Sequence, residues 1–285
     1  MRLVLVRHGQ TPSNVLGLLD TQPPGPGLTD LGREQAEALL GTLANEPIAA
    51  VYASTATRAQ QTAAPLAGRS GLEIQVRSGL REVPAGNWEM LGDENSVQGF
   101  LGVIGRWLQG SLDERTPGPA GESGREVLQR FDDVVAEVLA SGVEAAALVA
   151  HGAINRFWAS VRADNLDDEY GATHPLRNTG VVILDGDLAS GWTARSWTGA
   201  GLGGAEPTGA GGAAATAADT TAATATAADT TAATNTATDA SAANATAAGT
   251  HRGARAPDTP PRPAWPAGPA DEDPFDEKIP VPGQP

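Results

Sequence analysis

The chain has 285 residues, a formal net charge of −15 and no cysteine. Its Arg residues are scattered through an acidic sequence without forming a basic stripe, which excludes a protein that tracks a nucleic-acid backbone. The lack of Cys excludes a disulfide framework, thiol catalysis and Cys-based zinc sites.

Composition changes near residue 198. Before it, apolar, charged and turn residues mix as in a packed domain; beyond it, Ala, Thr, Gly and Pro take over, and from Ala200 onward ten acidic residues stand against four basic ones. The reading is one domain over 1–198, with roughly 200 residues available for a core, and a disordered, acidic Ala/Thr/Pro-rich tail over 199–285. A ten-residue repeat in the tail (Thr216–Thr220 returning at Thr226–Thr230) buries no apolar surface and reads as a solvated linker. The opening MRLVLVRHGQ is too short in apolar residues for a signal-peptide core, and no apolar run reaches the roughly eighteen residues a membrane helix needs. A cytoplasmic protein without a membrane partner is expected.

In chain order, Leu3–Val6 reads as a buried parallel strand that stops at Arg7-His8-Gly9-Gln10. Thr29 is placed to cap a helix bearing Leu31, Ala36, Leu39, Leu40 and Leu43 at helical spacing. A strand over Ile48–Ala53 ends at Ser54, a helix over Thr57–Ala67 follows, and Leu72–Val76 alternates as a strand running into Leu80-Arg81-Glu82. Val97–Leu112 carries Phe100, Ile104, Trp107 and Leu108 on one helical face, which either packs the core or lines a substrate pocket. Ser123–Leu139 is a second amphipathic helix, Ala145–Ala150 a strand ending at His151-Gly152, and Val181–Asp185 the final strand. Strands alternating with helices predict a three-layer α/β/α sandwich with a mostly parallel central sheet, in which ligands bind beyond the carboxyl ends of the strands.

Both motif histidines fall at such ends. An Arg beside His8 is unfavourable unless an anion is to be bound, which points to phosphate. Neighbouring positive charge keeps an imidazole unprotonated at neutral pH, and a neutral imidazole is a competent nucleophile toward phosphorus. Arg58 opens the helix after Ser54, where a helix N-terminus and a guanidinium both favour a phosphate. His174 and His251 fit no motif and read as a surface or loop residue and a tail residue.

Four separated blocks, in order, carry a resemblance: Arg7-His8-Gly9-Gln10-Thr11 with Asn14; Ser54 to Ala63 around Arg58; Leu80-Arg81-Glu82 running to Glu89; and Leu148 to Gly152 around His151, with Gly121-Glu122-Ser123 between the last two. Together they resemble the histidine phosphatase superfamily, also called phosphoglycerate mutase-like, over about residues 1–198. The resemblance implies that His8 is the nucleophile, Glu82 the proton donor, and Arg7, Arg58 and His151 the catalytic phosphate ligands. Asn14 and Gly152 complete the substrate site, and neither metal nor cofactor is needed. Glu89 ranks below Glu82 as the acid. Pro84-Ala85 departs from the acidic-aromatic pair of similar phosphatases, and Met90 stands where Gly often follows.

The expected activity is metal-independent hydrolysis of a small phosphorylated metabolite through a phosphohistidine. Sugar phosphates, phosphoglycerate derivatives and a cobalamin precursor are all open as substrates, and so is the oligomeric state. A cofactor-dependent phosphoglycerate mutase and a catalytically silent phosphate-binding scaffold are the alternatives. The apolar stretch between Glu82 and His151 replaces the basic insertion of mutases, which favours hydrolysis.

Overall fold

The computed structural model describes residues 1–167 and 169–198 and a two-residue strand at 200–201; the rest of the tail predicted for 199–285 lies outside the described residues. The elements run β1 (Arg2–Arg7), α1 (Pro12–Val15), α2 (Asp30–Thr42), β2 (Ala50–Ala53), α3 (Thr57–Ser70), β3 (Ile74–Val76), α4 (Glu94–Leu108), α5 (Gly124–Ala140), β4 (Ala145–Ala150), α6 (Gly152–Arg162), α7 (Tyr170–Thr173), β5 (Val181–Asp187), β6 (Gly191–Trp197) and β7 (Ala200–Gly201). One sheet holds all the strands in the order β3-β2-β4-β1-β5-β6-β7. Pairings from β3 through β1 are parallel, and those from β1 through β7 antiparallel. The predicted α/β/α architecture is therefore the observed one, with an antiparallel edge on the parallel strands.

β1 and β4 are near-continuous apolar runs because helices cover both faces. Leu3, Leu5, Tyr52, Ala146 and Leu148 pack under α4, α5 and α6, through side chains that include Phe100, Phe131 and Trp158. Val4, Val6, Val51, Ala147 and Val149 pack under α2 and α3, against Leu39, Ala59 and Ala63. The face of α4 is settled by this arrangement: Phe100, Ile104, Trp107 and Leu108 are buried in the larger of the two cores.

Caps behave as expected from the residue types. Thr29 accepts a hydrogen bond from the Gly32 amide, and Ser123 and Glu126 form a reciprocal capping box at the start of α5.

The sequence reading does not assign the short elements α1, α7 and β7, and it differs from the structure at three larger places. α4 begins at Glu94, capped by Asp93, and ends at Leu108, before Gly110 adopts a left-handed conformation. β5 is not the last strand: it turns through Asp187, whose Oδ1 accepts from the Ala189 and Ser190 amides, into β6. Gly186 and a register shift at Ile183/Leu184 interrupt the alternation by which that hairpin would have been recognised. α6, which the sequence reading did not assign, starts directly after His151.

Leu31 was expected on the buried face of α2 and is 48% exposed. The face instead turns Gly32 inward, because the start of α2 presses on the loop after β1. A Cβ on Gly32 would lie 2.1 Å from the Gln10 carbonyl oxygen, and one on Gly9 would lie 2.5 Å from that of Gly32. Only glycine at both positions permits this approach, which fixes the backbone immediately after His8.

Candidate active site

The carboxyl ends of β1, β2 and β4 bring together residues that are far apart in sequence. Arg7 and His8 end β1, Ser54 follows β2, and His151 follows β4 as the N-cap residue of α6. All four are buried. The rings of His8 and His151 meet edge to face with centroids 5.1 Å apart.

The His8 ring is oriented by its own chain. Nδ1 lies 2.7 Å from the Gly9 carbonyl oxygen, an acceptor only, so Nδ1 carries the proton and Nε2 presents a bare lone pair. The Gly9 amide donates to Thr62 Oγ1 (2.9 Å), which donates to the Arg58 carbonyl (2.7 Å), joining this loop to α3. On the other side, Asn178 Nδ2 donates to the His8 carbonyl (3.1 Å) and to Asn14 Oδ1 (3.3 Å). Asn14 Oδ1 also accepts from the Thr11 amide (3.0 Å), which turns the donor end of its amide the other way.

Arg7 Nη1 donates to the Leu176 carbonyl (2.7 Å). Arg58, in the first turn of α3, donates from Nη2 to the Asp20 carbonyl (2.9 Å). Its Nη1 is buried without a hydrogen-bond partner among the described residues, 3.9 Å from an Asp20 carboxylate oxygen. Asp20 is itself held by the Ser13 hydroxyl at 2.5 Å.

Glu82 lies buried against the start of α6. Its Oε1 accepts from the Val83 (2.8 Å) and Ile154 (2.9 Å) amides, and its Oε2 from the Ala153 amide (3.1 Å). Gly152, the first residue of α6, lies between His151 and Ala153, whose amide Glu82 accepts from. Glu89, the other carboxylate of the motif, accepts from the Thr21 and Gln22 amides and from the Thr21 hydroxyl and so ties a loop. His174 is exposed and stacks on Tyr170 at 3.8 Å between centroids, while His251 lies outside the described residues.

Burial and charge act together on these groups. Burial, then Arg58 and Arg7, push the His8 pKa well below the ordinary imidazole range. His151 is pushed well below it by burial, then by Arg58, His8, Arg130 and Arg7. Burial raises Glu82 above the usual carboxylate range, although three amide donors and Arg58 oppose the shift. The pocket thus combines neutral imidazoles, fixed guanidinium charge and a carboxyl able to hold a proton.

Sequence reasoning did not identify Asn178, Asp20 or Arg130 as supporting residues. Each contacts the site through backbone carbonyls or through a partner that only folding brings near, so no local pattern marks them. Among the described residues no cluster of three or more His, Cys, Asp or Glu side chains is placed to hold a metal ion. No helix among them is long and apolar enough to cross a membrane.

The ends of the parallel strands thus gather two buried imidazoles and two buried guanidiniums beside a carboxyl whose pKa is raised. Residues 3–198 match the model of the histidine phosphatase superfamily (branch 1), and the chain belongs to that superfamily. It is 37% identical over 215 residues to the PE-PGRS family protein PE_PGRS11 of Mycobacterium tuberculosis, a match covering 70% of this chain and 37% of that protein. It therefore spans little more than a third of that relative. The glucosyl-3-phosphoglycerate phosphatase of the same species is 35% identical over 167 residues, 54% of this chain and 71% of the relative. Among solved structures, a mycobacterial glucosyl-3-phosphoglycerate phosphatase in complex with VO3 superposes with a TM-score of 0.59 and 28% identity, covering 70% of this chain and 99% of the other. The last two are, by name, phosphatases of a phosphorylated sugar-glycerate metabolite.

Proposed function

We propose that the chain is a phosphomonoester hydrolase that works through a phosphohistidine and without a metal. The observation that carries this reading is the bare Nε2 of His8, oriented by the Gly9 carbonyl and kept unprotonated by burial and by Arg58 and Arg7. In the first step Nε2 bonds to phosphorus as the ester P–O bond breaks, and the departing alkoxide takes the Glu82 proton. In the second, water attacks the phosphohistidine, Glu82 accepts a proton from it, and the N–P bond breaks to release inorganic phosphate. Arg7, Arg58 and His151, with the Asn14 amide, bind the non-bridging oxygens and offset the charge that a metal offsets in other phosphoryl-transfer sites. On Glu82, Oε2 accepts one amide where Oε1 accepts two, so Oε2 is the oxygen with a lone pair free for the transferable proton.

Hydrolysis is favoured over mutase chemistry because α4, between the acid and the second histidine, buries its apolar face in the core and presents no basic clamp for a second anion. The substrate is a small phosphorylated metabolite, of the kind that the phosphatase relatives' names describe. We assign catalysis to 1–198 and place the enzyme in the cytoplasm, in keeping with a chain that has no cysteine.

The test uses the full chain with para-nitrophenyl phosphate and no added metal. Turnover is expected, along with an acid-labile, base-stable phosphoryl adduct trapped on His8, and His8→Ala abolishes both. Undiminished turnover in His8→Ala would remove the nucleophile and with it the mechanism.

A further inference from the structure

We infer that Ser54 is a positioning residue for this reaction: its hydroxyl donates to Nε2 of His151 and holds that imidazole as the Nδ1–H tautomer, ready to donate to a phosphoryl oxygen. The inference deepens the phosphohistidine reading and rests on it for its catalytic meaning.

Hydrogen-bond capacity around one hydroxyl carries the argument. Ser54 is fully buried, and its Oγ lies 2.8 Å from Nε2 of His151. The same oxygen accepts from the Ala56 amide at 3.3 Å. A hydroxyl has one proton to give. If Nε2–H of His151 also donated to Oγ, the hydroxyl would receive two donors while its own proton had no acceptor among the described residues, and the Nδ1 lone pair would be unmade as well. Leaving a buried donor unmade costs about 1–3 kcal/mol. The alternative leaves one group unmade in place of two: Oγ–H donates to a bare Nε2, and the ring proton sits on Nδ1. That nitrogen is buried with no hydrogen-bond partner among the described residues, a donor awaiting an acceptor beside His8. In the opposite tautomer Nδ1 would offer a lone pair to an incoming anion.

The two histidines then share one tautomer and differ in which nitrogen is occupied. His8 has its Nδ1–H engaged by a carbonyl and offers Nε2 as nucleophile. His151 has Nε2 engaged by a hydroxyl and offers Nδ1–H as donor. With burial and neighbouring cations pushing the His151 pKa well below the ordinary imidazole range, the partner of Nε2 selects the tautomer. Ser54 is that partner, and it reaches the ring from the end of a neighbouring strand, 97 residues away in sequence.

The tautomer is read directly on the full chain labelled with 15N-histidine, by long-range nitrogen–proton correlation at neutral pH without substrate. Only four histidines need assignment. The wild type is expected to show His151 protonated on Nδ1 and bare on Nε2. Ser54→Ala should show a mixture or the reverse, with the fold retained by circular dichroism. Its kcat should fall by about 10²-fold, between the ~10-fold of a lost supporting bond and the ~10⁴-fold of a fully inverted tautomer. Ser54→Thr, which keeps the hydroxyl, should restore the tautomer and most of the rate. A wild-type ring protonated on Nε2, or a Ser54→Ala ring still wholly in the Nδ1–H form, overturns the inference. Because no substrate is present, this outcome is independent of whether His8→Ala retains turnover.

Discussion

Arg130 of α5 should be the side chain on which the placement of Glu82 depends most. Its Nη1 donates to the carbonyls of Gly79 (2.7 Å) and Arg81 (2.6 Å), its Nη2 to that of Glu82 (3.0 Å), and its Nε to Glu122 (3.1 Å). The side chain is 12% exposed, and burial draws its pKa down to about 10, so it stays cationic at neutral pH. Arg130→Met keeps most of the apolar stem and removes all four bonds. Three bonds from a charged guanidinium to carbonyls, at about 1.5 kcal/mol each, the low end for an ionised donor, give roughly 4–5 kcal/mol. Breaking a buried ion pair costs about 3–5 kcal/mol, but Glu122 keeps Arg81 as a partner, which limits that part. The expected loss is therefore about 4–6 kcal/mol, a large share of the 5–15 kcal/mol typical of a whole domain.

The kinetic effect should fall on leaving-group departure. A displacement of about 1 Å of the acid-bearing segment costs on the order of 10²-fold in rate. Urea denaturation followed by circular dichroism measures the first quantity. The ratio of kcat/KM for an alkyl phosphate to that for para-nitrophenyl phosphate measures the second. A stability loss under about 1 kcal/mol, or equal rate losses for both esters, would refute the idea that this guanidinium holds the acid in place.

Other expectations can be checked alongside. Glu82→Gln should slow alkyl phosphates by about 10²–10⁴-fold and the activated aryl ester far less; equal losses would argue against a donor role. The wild-type rate should be bell-shaped in pH. His8 must be unprotonated and its pKa is depressed, so the acid limb lies below the ordinary imidazole range. Glu82 must be protonated and its pKa is raised, so the alkaline limb lies above the ordinary carboxylate range. An alkaline limb that persists in Glu82→Gln for alkyl esters would assign it to another group. Met90 holds a left-handed conformation at φ 62° with its side chain 46% exposed. Met90→Gly should therefore raise stability by about 0.5–1 kcal/mol, seen as a higher urea midpoint; an unchanged or lower midpoint would mean that the backbone there carries no strain.

Much of this molecule was written locally. The apolar runs of β1 and β4 announce strands covered on both faces, because a strand that meets helices on each side has no polar edge to display. Thr29 and Ser123 mark helix starts because their hydroxyls match unpaired amides a few residues on. Arg7, His8, Arg58 and His151 stood out because each sits at the end of an apolar run or the start of a helix, where parallel strands end, whereas Glu82 was marked by the resemblance of its motif. Other features had no local signature. α6 follows a strand and a motif without a break in composition, and β6 is paired through a bulged register that blurs the alternation.

What only the tertiary structure decided is how the charged and titratable groups are seated. Whether Glu82 can hold a proton depends on its burial against the amides of α6, which lie about 70 residues further along the chain. Which nitrogen of each imidazole is free depends on one carbonyl and one hydroxyl. The grip of Arg130 on the acid-bearing loop depends on three main-chain oxygens that any residue would supply. Residue type fixes what a side chain can donate or accept, but the distance, direction and dielectric that turn that capacity into chemistry arise from neighbours remote in sequence.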